Sequence, residues 1–508
     1  MDTQFPIPEV IARVCVVGGG SAGFMAALAL KSRLPALQVR VVRSKEIGII
    51  GVGEGSTGTL TDYLHNYLKV GYKKFHEIAR PTWKLGLRFL WGPRPYFNYT
   101  FGPGLETRSD PAQLKPNGFY CGQDIEYPDL ISALMTENRV FASSNGSPVS
   151  HNHVAYHFEN ELFVQFLEGA ARVLGIDIVD DTITQAIAGA AGIDRLLLRS
   201  GLIEQADLFV DCSGFASILL AGALKEPFVS YRSSLFCERA VVGGWAREGS
   251  ADPADQIIKP YTTCETMDAG WAWQIEHEHR INRGYVYCPD FISDERAEAE
   301  FRVKNPRVAA TRIVKFTSGR YERGWVGNVV AIGNASGFVE PLEATALGVI
   351  ARQSTTLADI LVHSDRRLRA SQVRMYNRVN GLFWDSIRGF LAVHYKFNTR
   401  FDTGFWNHCR QSTDLASAAP VVEYYQENGP DGYWGFTLLD NPQDQFTLSG
   451  YITMLVGMKV PYRQTWSASG DDLTRFVGLR RRWRDLAQKG FTVRQTLDVI
   501  RSPTWVWK

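Results

Sequence analysis

Three observations predict an α/β fold with a mainly helical C-terminal region. Near the N-terminus, an apolar strand-like run, Arg13 to Val17, meets a glycine-rich turn, Gly18 to Gly23, and then an Ala/Leu-rich segment, Phe24 to Ser32. Further strand-like runs, Ala206 to Asp211 and Val326 to Ile332, end on small residues, Cys212-Ser213-Gly214 and Gly333-Asn334. Strands of an open α/β sheet present their ligands at such C-terminal ends. From about Arg367 the pattern changes, and Val379, Phe383, Ile387, Phe390 and His394 recur at helical spacing. The 508 residues are enough for two or three domains. The expected division is a module over 1–366 and a helical cap over 367–508.

The first turn fixes the type of module. A second strand is expected at Val39 to Val42, so the glycines lie between a strand and a helix within a β-α-β unit. Gly18, Gly20 and Gly23, with Ser21 and Ala22 between them, fill the G-x-G-x-x-G positions of a Rossmann-like dinucleotide-binding fold. The missing side chains let backbone approach a pyrophosphate, and the helix N-terminus supplies N–H donors and partial positive charge. The acid that usually ends the second strand to bind a ribose is replaced by Arg43 and Ser44. That disfavours simple NAD binding and leaves FAD, whose ribose contacts can come from elsewhere.

The segments Gly92 to Asn117 and Ser143 to Pro148 are rich in Pro, Gly and small polar residues and are expected to be long loops. Lys plus Arg number 55 and Asp plus Glu 53, so the balance of +2 gives no reason to expect nucleic acid or an acidic membrane as partner. No apolar run reaches the roughly eighteen residues of a spanning helix. The uncharged stretch Val14 to Leu30 is accounted for by the glycine turn. Seven scattered cysteines without a C-x-x-C pair fit reduced thiols in a cytoplasm. His151-Asn-His153 and His277-Glu-His279 are read as paired imidazoles on strand faces without a third ligand, so no metal is expected. The run Arg480 to Arg484 is read as a solvated helix face.

Four ordered segments carry a family resemblance over most of residues 10–410. They are Gly18 to Gly23; Gly51-Val-Gly53-Glu54-Gly-Ser-Thr57; Trp271-Ala-Trp273-Gln-Ile275; and Gly333-Asn334-Ala-Ser-Gly-Phe338 with Glu340-Pro-Leu-Glu343-Ala-Thr345. Trp83-Lys84-Leu-Gly-Leu-Arg-Phe89 supports them. The set resembles the flavin-dependent halogenases of the tryptophan halogenase family. The resemblance implies that FADH₂ and O₂ give a flavin hydroperoxide, that chloride or bromide attacks it, and that hypohalous acid travels through a tunnel to an electron-rich aromatic such as indole. It places FAD on Gly18, Gly20, Ser21, Ala22, Gly23, Gly51, Gly53, Glu54, Gly333, Asn334 and Phe338.

The remaining roles follow from the same resemblance. Lys84 matches the essential lysine that holds hypohalous acid, either as a hydrogen-bonding ammonium or as a haloamine. On alternation alone, Lys84, Gly86 and Arg88 read as a solvated strand face. Glu343 matches the acid that stabilises the halogenated ring and takes its proton; on local sequence it would complement the dipole of a helix starting near Leu342. Trp271 and Trp273, at i and i+2, share a strand face and could separate flavin from substrate. Glu276 stands where the family continues with proline. Backbone at Thr345 and Ala346 matches the halide contact. The family pattern Phe-x-x-Pro-x-x-Ser-x-Gly keeps Phe338 and Pro341, while Ala344 and Ala346 replace its serine and glycine, which implies altered halide selection toward bromide.

Tyr99 and Phe101 fall in the region that stacks on substrate, and Glu423-Tyr424-Tyr425 and Tyr433-Trp434 are placed near the cap. No amino-acid clamp aligns, so indole or another small aromatic is expected rather than free tryptophan. A single nucleotide fingerprint implies a separate NAD(P)H-dependent flavin reductase as partner; a homodimer is compatible with the sequence. The rival readings are an aromatic monooxygenase and a noncatalytic flavin-binding protein.

Overall fold

A computed structural model describes residues 10–48, 53–102, 125, 127–151, 153–250, 252–430, 435–439, 441, 444–464 and 469–507. Its first sheet has six strands in the order Asp177–Asp180, Gln38–Arg43, Arg13–Val17, Leu208–Asp211, Val329–Ala331 and Trp325–Val326. The first five run parallel and the last is antiparallel. The strand Arg13–Val17 therefore lies centrally, buried from Val14 to Val17, and delivers the glycine turn to the C-terminal edge of the sheet. The helix Ser21–Arg33 follows and packs against the helix Ala346–His363.

A second, seven-stranded sheet has the order Arg312–Lys315, Arg239–Ala246, Arg280–Tyr287, Gly270–Glu276, Thr262–Met267, Gly86–Leu90 and Phe97–Thr100. Only the contact between Thr262–Met267 and Gly86–Leu90 is parallel. A small sheet of Glu54–Gly55, Ala155–Phe158 and Thr82–Lys84 lies beside it. At Leu85 the chain crosses between the two sheets, and its N–H donates to the Pro260 carbonyl at 2.7 Å. The helix Ala370–Phe397 buries Phe383, Ile387, Phe390 and His394, and joins the helix Thr447–Gly457 in the same apolar core as the seven-stranded sheet. Among the described residues no helix is long and apolar enough to cross a membrane.

The fold class expected from sequence is the one observed, with several local corrections. Trp83 to Phe89 is two strands, and Lys84 is fully buried rather than on a solvated face. Val326 to Ile332 is interrupted by Gly327, whose φ of 54° turns the chain back into a hairpin. Ser143 to Pro148 forms the hairpin Ala142–Ser144/Ser147–Val149, because Asn145 and Gly146 both adopt positive φ, 49° and 74°. Within Gly92 to Asn117, residues Phe97–Thr100 form a strand, and 103–117 lie outside the described residues. The helix expected near Leu342 begins at Ala346, so Glu343 precedes it and does not complement its dipole.

Neither histidine pair lies on a strand: the nearest strands start at Ala155 and end at Glu276. The six described cysteines are free and buried, while Cys121 is outside the described residues. Arg481, Arg482 and Arg484 are exposed on the helix Gly470–Gln488.

Candidate active site

The glycine turn is shaped by close approach. Gly18 has φ 117°, and a Cβ there would stand 2.3 Å from the Cys212 carbonyl oxygen; a Cβ on Gly23 would stand 1.8 Å from the Gly18 carbonyl oxygen. Gly20, the N-cap of the helix Ser21–Arg33, has nothing within 4 Å of its Cβ direction, and no acid occupies the helix's first turn. Its N–H donors thus border open space without a competing anion, a setting that fits a diphosphate. Ser21 and Ala22 are half-buried at the start of that helix. Gly333, at φ 66°, lies 3.3 Å by its Cβ direction from Ala22 Cβ, which brings the two glycine segments together. Its N–H donates to Gln353 Oε1 at 2.7 Å, and Gln353 Nε2 donates in turn to Ser336 Oγ and Asn380 Oδ1. Asn334 and Phe338 are half-buried, and the Phe338 ring packs 4.9 Å from that of Phe215 and 5.1 Å from that of Phe316. Where a ribose-binding acid was missed, the Arg43 stem fills the space beside Gly19 and its Nη2 donates to Glu168 at 2.8 Å.

The second segment lies beside the lysine. Gly51 is outside the described residues. Gly53, at φ 77°, has Asn282 Nδ2 2.1 Å from its Cβ direction, so the chain passes directly over that side chain. Glu54 starts a two-residue strand, accepts a hydrogen bond from Asn160 Nδ2, and is pushed up to about 7 by burial. Residues 54–55 pair with 157–158, and Thr82–Lys84 pair with 155–157 on the other side of the same strand. A β-sheet only three strands wide thus holds this segment and Lys84 together.

Lys84 Nζ donates to the Ser56 carbonyl at 3.0 Å and lies 5.2 Å from the centre of the Phe101 ring. Burial lowers its pKa to about 8, with the opposing charge of Glu343 holding it up in part. His157 packs with Lys84 around Gly55: its Nε2 is 2.8 Å from Thr262 Oγ1, and burial and the Lys84 charge lower its pKa and favour the neutral ring. Glu343 is 1% exposed and its Oε1 is 2.7 Å from His394 Nε2. Burial raises the Glu343 pKa, opposed by His394 and by Lys84. The lysine and the carboxyl sense each other electrostatically inside one buried region.

Tyr99 and Phe101 belong to this region. Tyr99 is buried with its ring 5.9 Å from that of Phe390, and Phe390 stacks on Phe446 at 3.8 Å and meets Tyr451 at 4.9 Å. Gly86 makes the approach of the two strands feasible, since a Cβ there would stand 2.1 Å from the Tyr99 carbonyl oxygen. Trp271 and Trp273 are buried on one strand face with ring centres 5.9 Å apart. Trp271 Nε1 donates to Glu340 Oε2 at 2.7 Å, and the same carboxyl oxygen accepts from Tyr395 OH at 2.5 Å. Glu276, in place of a proline, is buried and ion-paired to Arg247, and accepts from Gln274 Nε2 at 2.7 Å.

Thr345 is the N-cap of the helix Ala346–His363; its hydroxyl does not cap the helix, and no acid lies in the first turn. Ala346 is exposed, whereas Thr345 and Leu347 are buried. Ala344 adopts φ 54°. Tyr425 is buried, and its OH donates to the Val460 carbonyl at 3.2 Å, while Glu423 is exposed and Tyr433 and Trp434 are outside the described residues.

Sequence reasoning missed His394, Glu340, Ser56, Phe446 and Tyr451 as site residues. For His394 a signal existed, since it is an imidazole on an otherwise apolar helical stripe. Among the described residues no group of three His, Cys, Asp or Glu side chains could hold a metal ion.

A Rossmann-type β-α-β unit with an open glycine turn, in one chain with a buried amine, carboxyl and tryptophan pair, points to a class of enzyme, the flavin-dependent halogenases. The chain belongs to the tryptophan halogenase family, whose model matches residues 13–470. It is 32% identical over 457 residues to the 7-chloro-L-tryptophan 6-halogenase KtzR of Kutzneria sp. (strain 744), covering 82% of this chain and 85% of that one. Its fold matches the crystal structure of MibH, a lanthipeptide tryptophan 5-halogenase, with TM-score 0.86 and 35% identity, over 97% of this chain and 94% of the other. The tryptophan 6-halogenase SttH from Streptomyces toxytricini gives TM-score 0.86 at 26% identity, over 96% and 99%. The chain is accordingly an enzyme, a flavin-dependent halogenase; such enzymes use FADH₂ and halide, and generally a separate flavin reductase and an aromatic substrate.

Proposed function

We propose that this enzyme halogenates an electron-rich arene of the indole class at Lys84 and Glu343. The observation that carries the reading is the buried amine of Lys84, held by Ser56, beside Phe101 and under the charge of Glu343. Bound reduced flavin supplies, with O₂, the two-electron oxidation of halide to hypohalous acid. The residues expected to hold the flavin are Gly18, Gly20, Ser21, Ala22, Gly23, Gly51, Gly53, Glu54, Gly333, Asn334 and Phe338. The backbone N–H groups of Thr345 and Ala346, at the start of the helix Ala346–His363, would hold the halide. Residues 1–366 act as the flavin module and 367–508 as the cap.

Trp271 and Trp273 wall the arene from the flavin cleft, with Glu340 fixing the Trp271 indole. Hypohalous acid passes this wall to Lys84. With a pKa of about 8 the ammonium form prevails at pH 7, so Lys84 acts by donating a hydrogen bond that polarises the O–halogen bond. Tyr99 and Phe101 position the ring, and Glu343 receives its proton. Named relatives act on tryptophan, 7-chlorotryptophan or a lanthipeptide tryptophan, and the indole nucleus is the group these share. Ala344 and Ala346 remove a serine contact and add a methyl group at the halide end, which favours bromide.

The test is incubation with an NAD(P)H-dependent flavin reductase, FAD, O₂, indole and equal chloride and bromide, followed by mass spectrometry. A bromine isotope pattern that exceeds the chlorine pattern supports the reading. An oxygen adduct without halogen overturns it. Lys84→Ala is expected to retain flavin oxidation and peroxide release while organic halide disappears.

A further inference from the structure

We propose that His394 and Glu343 form a dyad that shares one proton, and that His394 is the positioning residue that keeps Glu343 anionic with Oε2 free for the ring proton. This rests on the reading of Glu343 as the proton acceptor and extends it to a residue on another element.

The argument is one of donors and acceptors. His394 Nδ1 lies 2.9 Å from the Phe390 carbonyl oxygen, which can only accept, so Nδ1 carries a hydrogen. Its Nε2 lies 2.7 Å from Glu343 Oε1. Both side chains are buried, at 0% and 1% exposure, so water does not mediate the contact. A neutral imidazole with hydrogen on Nδ1 has a bare lone pair on Nε2, and a carboxylate has only lone pairs. Two lone pairs opposed at that distance in a dry site are repulsive, so one proton must lie between the two atoms.

Two arrangements satisfy this: imidazolium with carboxylate, or imidazole with carboxylic acid. The ammonium of Lys84 in the same region favours the first, because it places an anion opposite the cation. The other titratable groups facing Glu343 are Tyr99 from the strand Phe97–Thr100 and Cys264 from the strand Thr262–Met267, both held neutral by burial; Asp444 acts on Tyr99. None of these provides a second cation.

Glu343 Oε2 is buried without a hydrogen-bond partner. A carboxylate held through one oxygen, with the other unsatisfied, is arranged to receive a proton. The step balances as a simple transfer. The C–H bond at the halogenated ring carbon breaks, its electron pair returns to the ring, and the proton binds Oε2. Glu343 becomes a neutral acid still bonded to the imidazolium, and the added proton passes to water when product leaves. No oxidant or reductant is consumed in this step.

The first test compares ring-deuterated with ordinary indole in the bromide assay, using the full-length enzyme with flavin reductase. Wild type is expected to show no primary isotope effect. His394→Phe is expected to lower kcat about 10–100-fold with KM little changed and to reveal a primary effect, because proton removal becomes slow. His394→Gln can donate an N–H to Oε1 and is expected to recover part of kcat. Equal kcat in His394→Phe, or a fall without an isotope effect, overturns the dyad.

The second test needs no substrate and no variant. In ¹⁵N-histidine NMR of the wild-type protein, both His394 ring nitrogens are expected to be of the protonated type, Nδ1 through the Phe390 carbonyl and Nε2 through Glu343. A deprotonated Nε2, the mark of an imidazole facing a carboxylic acid, overturns the dyad. Absence of bromoindole from wild type would instead count against the proposed function, while the NMR result would still decide the proton-sharing pair.

Discussion

Lys84 sets function against stability within a single side chain. Its native pKa of about 8 lies below the ordinary lysine value of 10.5, so between these values the unfolded chain binds more protons than the native one. Stability therefore rises with pH across that window, and the charge penalty is fully present below about pH 8. The separation corresponds to about 3 kcal/mol. Lys84→Met is expected to abolish halogenation yet raise the urea or thermal midpoint at pH 7, with the gain shrinking as pH passes from 8 to 10.5. Its failure to shrink would place the penalty elsewhere. Halogenation by the wild type is expected to fall as pH rises through about 8, as the ammonium donor is lost. A rate that rises over that limb would favour the neutral amine.

Ala344 lies just before the helix Ala346–His363, beside the backbone proposed to hold halide. An alanine at φ 54° bears a left-handed conformation that costs about 1–2 kcal/mol, and glycine relieves it. Ala344→Gly is accordingly expected to raise stability by about 1 kcal/mol, read as a shift in the urea midpoint. The double change Ala344→Ser with Ala346→Gly rebuilds the family pattern and is expected to move the competition toward chloride, measured as the ratio of chlorinated to brominated indole.

At the next strand pair, Trp273 occupies the space opposite Gly284, where a Cβ would lie 2.0 Å from its ring. Gly284→Ala is expected to destabilise by about 1–3 kcal/mol through overpacking. Because the indole must move, release of peroxide relative to halogenated product is expected to increase. An unchanged product-to-peroxide ratio would remove Trp273 from the wall between cleft and substrate.

Across the molecule, the helical region is part of the same core as the sheet it covers. Phe390, Leu391, Phe446 and Tyr451 share one apolar cluster with Leu87, Phe89, Trp271 and Trp273. A chain ending at residue 366 would leave this sheet face open to water, a loss of many side chains each worth about 1.5–3 kcal/mol when fully buried. Such a truncation is expected to be insoluble or to bind the hydrophobic dye ANS strongly; a soluble, dye-silent product would show that the sheet module stands alone.

The amino-acid sequence by itself determined the glycine turn, because Gly23 must pass the Gly18 carbonyl within six residues and Gly18 adopts a positive φ. It likewise determined the tryptophan pair, whose i, i+2 spacing on a strand fixes a shared face whatever surrounds it. Only the tertiary structure decided that Lys84 is buried, since Lys84, Gly86 and Arg88, alternating with Trp83, Leu85 and Leu87, look like a solvated face until the crossing between two sheets buries Lys84. The same holds for His394: helical periodicity fixes its face, but not that Glu343 from a distant turn would meet it at 2.7 Å. Backbone conformation is written in neighbouring residues, whereas desolvation and proton sharing arise from segments that packing alone brings together.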